Sequence, residues 1–236
     1  KRLSRSKGEE GGRLVVLEGI YSMIGDRAPV ADFVEVKKKH GFQLMMDEAH
    51  SFGVLGPNGR GLAEEAGVYE EADFIVGTFS KSIGAIGGFG AGDHPLFDAT
   101  RYASRQYMFT ASPSPASVAT AIEAVRLLKR EPERRERLRE NSIRLFEGFK
   151  RLGLDLCCDE VSPVIAVECS DEPSTLAMWN ALLNAGVYVN IALPPGTPGN
   201  QCLLRCSVSA AHSFDDIDTI IELFGKVVAA GHGKAV

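Results

Sequence analysis

Short apolar β-branched runs that alternate with helical spacing, and a change to longer helices after Pro95, predict an α/β domain followed by a smaller α+β one. Three early runs carry the first half of this reading: RLVVLE (Arg13–Glu18), FQLMM (Phe42–Met46) and DFIVGTF (Asp73–Phe79). Each is short enough for a buried strand and is followed by polar or small residues.

In order, residues 1–12 are polar and glycine-containing and predict a flexible connection. The first strand leads into the loop Gly19–Pro29. Val30–His40 has helical spacing at Val30, Phe33, Val34 and Val36, a lysine-rich end that suits the helix dipole, and Gly41 to stop it. The second strand ends at Asp47-Glu48-Ala49-His50, before the glycine-rich loop SFGVLGPNGRG. A short helix at Leu62–Gly67 precedes the third strand, and Gly87–Gly92 reads as its return. Beyond these, helices are expected at Leu96–Gln106, Ala116–Lys129 and Glu133–Leu152. Strands are expected at Val161–Glu168, Val187–Ile191 and Cys202–Ser207, with helices at Thr175–Ala185 and Phe214–Ala230. The domains are accordingly placed at residues 13–130 and 131–236.

Composition narrows the function. With 26 basic and 31 acidic residues the chain lacks the basic excess of a nucleic-acid binder, and its charge-dense run Lys129–Arg144 mixes both signs as a solvated helix face does. No apolar run reaches the length of a membrane span. The five cysteines form no CxxC pairs and read as small buried hydrophobes in a reducing, cytoplasmic setting, ahead of a structural zinc, so no metal site is expected.

The chemistry gathers at the carboxyl ends of the strands, where open parallel sheets place their crevice. Glu18 with Ser22, Asp47 with His50, and Thr78 with Lys81 all fall there. Lys81 is delivered by an apolar strand into a Ser/Gly-rich bend, which predicts a buried amine held for covalent chemistry with a carbonyl. Taken singly, Lys81 reads as a solvated loop residue, Asp47 as a turn cap, and His50 as a structural histidine. Likewise Thr78 and Ser80 read as turn formers. Together they match the needs of an aromatic aldehyde cofactor: an anion at the ring nitrogen, a donor at the phenolic oxygen, and hydroxyls at the phosphate. A hydrolase using Ser51 or Ser80 with His50 lacks the GxSxG elbow.

Longer motifs sharpen this. VLEGIYSMIGD (Val16–Asp26), DEAHSFGVLGPNGRG (Asp47–Gly61), GTFSKSIGAIGGF (Gly77–Phe89), FTASPSP (Phe109–Pro115) and LLRCSVSAAHS (Leu203–Ser213) resemble the α-oxoamine synthases, pyridoxal-phosphate enzymes of aspartate-aminotransferase-like fold type I. The resemblance runs from about Arg13 to the C-terminus. It implies that Lys81 carries the cofactor as a Schiff base, that Asp47 pairs with the ring nitrogen, and that His50 contacts the phenolic oxygen. It further implies that Thr78 and Ser80 hold the phosphate, that Thr110 reaches the phosphate of the second subunit of a homodimer, that Ser22 lines the pocket, and that Glu18 supports it. Arg205, which by itself reads as a surface salt bridge, is implied to bind the amino-acid carboxylate.

Within that family the segments EGIYSM, GTFSKS and YMFTASPSP resemble those of its serine-using members, and this resemblance implies a decarboxylating condensation of L-serine with a long-chain acyl-CoA such as palmitoyl-CoA. Another member of the family, using glycine or alanine, is the alternative, and a non-catalytic partner subunit ranks below both because Lys81, Asp47 and His50 are present. The chain departs from the resembled pattern at Leu193, where a basic residue commonly precedes the Pro-Pro pair. The family's N-terminal half has no counterpart here, so the large-domain sheet is expected to be incomplete and to need that half.

Overall fold

The computed structural model describes residues 11–231. The first ten positions of the expected flexible connection lie outside the described residues. The chain forms two compact units, one of residues 11–20 and 27–132, the other of residues 21–26 and 133–231.

The first unit is built on a four-stranded sheet in the order β1-β2-β3-β4, formed by β1 (Leu14–Glu18), β2 (Gln43–Asp47), β3 (Phe74–Thr78) and β4 (Gly88–Ala91). The first three strands run parallel and β4 returns antiparallel to β3. Helix α1 (Val30–His40) ends where Gly41 turns left-handed at φ 64° and donates to Lys37 O. The core holds Leu17, Leu44, Met46 and Ile75, with Val30 and Val34 of α1 also buried. Asp73, just before β3, ties these elements together: one of its oxygens accepts from Leu44 N of β2 and meets Lys37 Nζ of α1, both at 2.6 Å.

After the short helix α2 (Leu62–Glu65) and the sheet come α3 (Thr100–Ala103), α4 (Arg105–Met108) and α5 (Pro115–Arg130). The single helix expected over Leu96–Gln106 is therefore broken into a 3-10 turn at Phe97–Ala99 and two short helices. The break falls at Ser104, which is extended (φ −81°, ψ 110°) and caps α4 by accepting from Tyr107 N. Helix α5 begins one residue before the expected Ala116, with Ser114 capping Ser117 N and Pro115 in the first turn.

The second unit has an antiparallel sheet in the order β5-β7-β6, from β5 (Val164–Cys169), β6 (Asn190–Ala192) and β7 (Cys202–Ser207). Around it lie α6 (Glu133–Arg151), α7 (Glu172–Asn184) and α8 (Phe214–Ala229). Its core includes Phe146, Phe149, Ile165, Met178, Leu182, Leu204, Ile217 and Phe224. Helices α6 and α8 meet closely at Gly148, where a Cβ would lie 2.3 Å from Ile221 Cδ1, and the Phe149 and Phe224 rings sit 4.4 Å apart. Ser213 and Asp216 form a capping box at the start of α8.

Strand β6 starts three residues later than expected. Val187 N closes the end of α7 by donating to Leu182 O, and Val187 and Val189 are spent as core residues before pairing begins. Leu193 also packs against this core, so the residue that departs from the family pattern fills apolar space. Of the five cysteines expected to be buried, Cys169, Cys202 and Cys206 are, whereas Cys157 and Cys158 are half-buried; burial pushes the Cys206 thiol up to about 12.

Candidate active site

In the first unit, strand register brings the expected residues level. Glu18 pairs with Asp47, and Asp47 with Val76, so three parallel strands end side by side. Asp47 leaves β2 through a turn in which its Oδ1 accepts from Ala49 N at 2.9 Å. The turn-cap role is therefore real, but it occupies one carboxylate oxygen only. His50 follows at half-buried depth.

Thr78 ends β3, and the loop from Phe79 to Gly87 joins it to β4, closed by Phe79 N donating to Gly87 O at 2.9 Å. Within it the Thr78 and Ser80 hydroxyls stand 2.9 Å apart, and Ser80 N donates to Thr78 Oγ1. Gly84, at φ 64°, donates to Lys81 O, and Ala85 N donates to Phe79 O. This coil is anchored by buried Ile83 and by Ser82 Oγ, which donates to Phe52 O at 2.6 Å. The bond links the loop of Lys81 to the segment that follows His50. Beneath it, Phe89 lies 4.9 Å from Phe52 and 5.9 Å from Phe79, and Gly77 is required because a Cβ would meet the Phe89 ring at 2.6 Å.

The expectation of a buried lysine needs correction: Lys81 is exposed. Its loop joins an antiparallel pair at the sheet edge, where β4 is the last strand, and so projects beyond the strand ends. Thr110 is exposed and lies in the segment that follows α4.

Ser22 and Arg205 come together in the second unit. The segment Tyr21–Asp26 is a tight turn closed by Tyr21 N donating to Asp26 O, and it lies so close to β5 that a Cβ on Gly25 would fall 2.0 Å from Val164 O. Arg205 donates through Nε to Ser22 O and through Nη1 to Ser207 Oγ, each at 2.7 Å. Both acceptors are neutral, and no carboxylate pairs with this guanidinium among the described residues. Burial pulls its pKa below the ordinary arginine value. This replaces the surface salt bridge with a half-buried cation able to receive an anion.

One residue escaped the reading of the sequence. Glu48 is completely buried, and its carboxylate accepts from Ser51 Oγ, from Leu62 N at 2.9 Å and from Ala63 N at 3.0 Å. Its signal was strand alternation: Leu44 and Met46 face the core, and the same parity carried past the end of β2 turns Glu48 inward.

A lysine, a carboxylate, a histidine and a hydroxyl pair at the ends of adjoining strands define an α/β protein of the kind that holds an aldehyde cofactor. The chain belongs to the aminotransferase class I and II family, which it matches over residues 2–224. It is 53% identical over 230 residues to a serine palmitoyltransferase of Caulobacter vibrioides, covering 98% of this chain and 57% of that protein. To an 8-amino-7-oxononanoate synthase of Alkalilimnicola ehrlichii it is 39% identical, covering 96% of this chain and 58% of the relative. A solved structure described as SPT with its pyridoxal phosphate internal aldimine superposes with a TM-score of 0.93 at 47% identity, covering 97% of this chain and 57% of that one. These relatives bear out the α-oxoamine synthase motifs and the type I fold. The chain spans a little over half the length of the relatives it matches.

Proposed function

We propose that the whole protein condenses L-serine with a long-chain acyl-CoA, with loss of CO2 and release of CoA, to give 3-ketodihydrosphingosine. The observation that supports this reading is the register that pairs Asp47, at the end of β2, with Val76 of β3, the strand that leads into Thr78 and the loop of Lys81. The identity of 53% to a serine palmitoyltransferase directs it to serine.

The residues fit pyridoxal phosphate. Two hydroxyls 2.9 Å apart suit a phosphate, a carboxylate with one oxygen outside its own turn suits a ring N–H, and an amine follows three residues after Thr78. When bound, that cofactor supplies an electron sink for negative charge at the amino-acid α-carbon. Lys81 Nζ is its attachment point and then takes the serine α-proton. Asp47 keeps the ring nitrogen protonated, and His50 donates to the phenolic oxygen. Thr78 and Ser80 hold the phosphate, Ser22 lines the pocket and Glu18 supports it. Arg205 receives the serine carboxylate. Thr110 serves the second subunit's phosphate in a homodimer. In this reading residues 13–130 belong to the cofactor-binding domain and 131–236 to the small domain, the polypeptide that completes the relatives' length is required, and the protein works in the cytoplasm. Among the described residues no helix is long and apolar enough to cross a membrane.

The 39% identity to an 8-amino-7-oxononanoate synthase supports a second reading, in which glycine or alanine replaces serine and the acyl group differs. Product identification separates them. Serine with palmitoyl-CoA is expected to give the C18 amino ketone and CO2, whereas turnover of alanine or glycine alone would favour the second reading.

A further inference from the structure

We propose that Glu48 is a positioning residue, whose buried carboxylate fixes the turn that presents His50. This rests on the assignment of His50 as the donor to the cofactor.

The turn is held at both ends. Glu48 N donates to Val76 O of β3 at 2.8 Å, and Glu48 O accepts from Ser51 N at 3.1 Å and Phe52 N at 2.7 Å. His50 occupies the bend between these anchors. What keeps the bend in one place is the side chain: the carboxylate takes Ser51 Oγ on one side and two backbone amides at the start of α2 on the other. The glycine-rich segment between Ser51 and Leu62 is thereby drawn back onto the turn.

Two glycines close over the group. A Cβ on Gly19 would lie 2.2 Å from Glu48 Oε2, and one on Gly61, at φ 110°, would lie 2.3 Å from it. A buried carboxylate is costly unless every oxygen is satisfied. Three donors meet that need here. Apolar packing of equal volume would hold the fold as well, but it would not fix the direction of Ser51, and through it His50. Phe52, whose amide Glu48 O binds, accepts from Ser82 next to Lys81, so the same anchor reaches the lysine loop.

Glu48→Gln keeps the shape but turns one acceptor into a donor that faces another N–H or O–H. The test uses the whole protein freed of cofactor and labelled at its histidine nitrogens, with the His50 signal identified by its loss in His50→Asn. Glu48→Gln is expected to displace the His50 signal or split it into several, with the other histidines unmoved. Loaded with cofactor, the variant is expected to show an altered visible absorption band and a kcat lower by about 100-fold at little-changed KM for serine. A folded variant whose His50 signal is unmoved overturns the proposal, even if activity falls. Should Glu48→Gln fail to fold, Ser51→Ala, which removes one of the three donors, is expected to displace the same signal, and its failure to do so overturns the proposal equally. Because the signal is read without cofactor, it decides the role of Glu48 even if the parent protein takes up no pyridoxal phosphate, which would instead defeat the functional reading.

Discussion

Arg205 shows how one residue's surroundings decide between two readings of it. A guanidinium on a protein surface ordinarily finds a carboxylate, and such a pair contributes little. Here a carbonyl and a hydroxyl hold the fork in place without neutralising it. The account expects Arg205→Leu to raise the KM for serine by about 100-fold, in line with the loss of a charge-assisted pair worth about 3 kcal/mol. Affinity for acyl-CoA should be nearly unchanged, and steady-state kinetics with each substrate varied in turn checks this. Cys206 makes the opposite case. Wholly buried, with its pKa pushed up to about 12, it is expected to resist alkylation at pH 8 until the protein unfolds, as mass spectrometry of the labelled thiols would show.

At the scale of elements, Asp73 joins α1, β2 and β3 through two contacts of 2.6 Å. Burial works against its ionisation, but Lys37 and the Leu44 amide outweigh it and hold the carboxyl below its ordinary range. The unfolded chain therefore takes up this proton first as pH falls. The stabilisation is full above about pH 5 and is lost as pH drops through the folded value. Asp73→Asn should lower the melting temperature at pH 7 and make its decline between pH 5 and 3 shallower than in the parent. Between α6 and α8, Gly148→Leu should cost about 1–3 kcal/mol by overpacking against Ile221, measured by urea unfolding.

Elements with local signals were the legible ones. Gly41 after a lysine-rich turn, Ser114-Pro115 and the Ser213–Asp216 box each mark a boundary with residues a few positions apart. The misplacements came from contacts made far along the chain. Ser104 turns extended to cap a neighbour, Val187 and Val189 are taken by the core, and the turn at Tyr21–Asp26 belongs with β5 some 140 residues later. The candidate site follows the same division. Asp47, Thr78 and Lys81 were proposed from their places at strand ends. The exposure of Lys81 depends on the sheet edge, which no local pattern announces, whereas the burial of Glu48 follows the alternation of β2 carried past its end.

Seen whole, the first unit leaves much apolar surface open. Leu14 and Val16 on β1 are about half exposed, and Ile86 and Phe109 are 80% exposed. A groove of about 370 Å³ runs between the lysine loop and α5, lined by Phe79, Ile86, Pro113, Val118, Ile122 and Val125. Parallel sheets are ordinarily covered on both faces, and patches of this kind mark interfaces. The relatives are nearly twice as long, and a homodimer is part of the proposed function. Ile86→Asp with Phe109→Asp is therefore expected to weaken the assembly of the whole protein, seen as a shift toward monomer by analytical ultracentrifugation.

The proposed chemistry depends on one amine, that of Lys81. The most direct test treats the whole protein, purified with its cofactor, with borohydride to lock the cofactor onto whichever lysine carries it, and maps the modified peptide by mass spectrometry. The account predicts a phosphopyridoxyl group on Lys81. A group on a different lysine, or an unmodified protein, would contradict it.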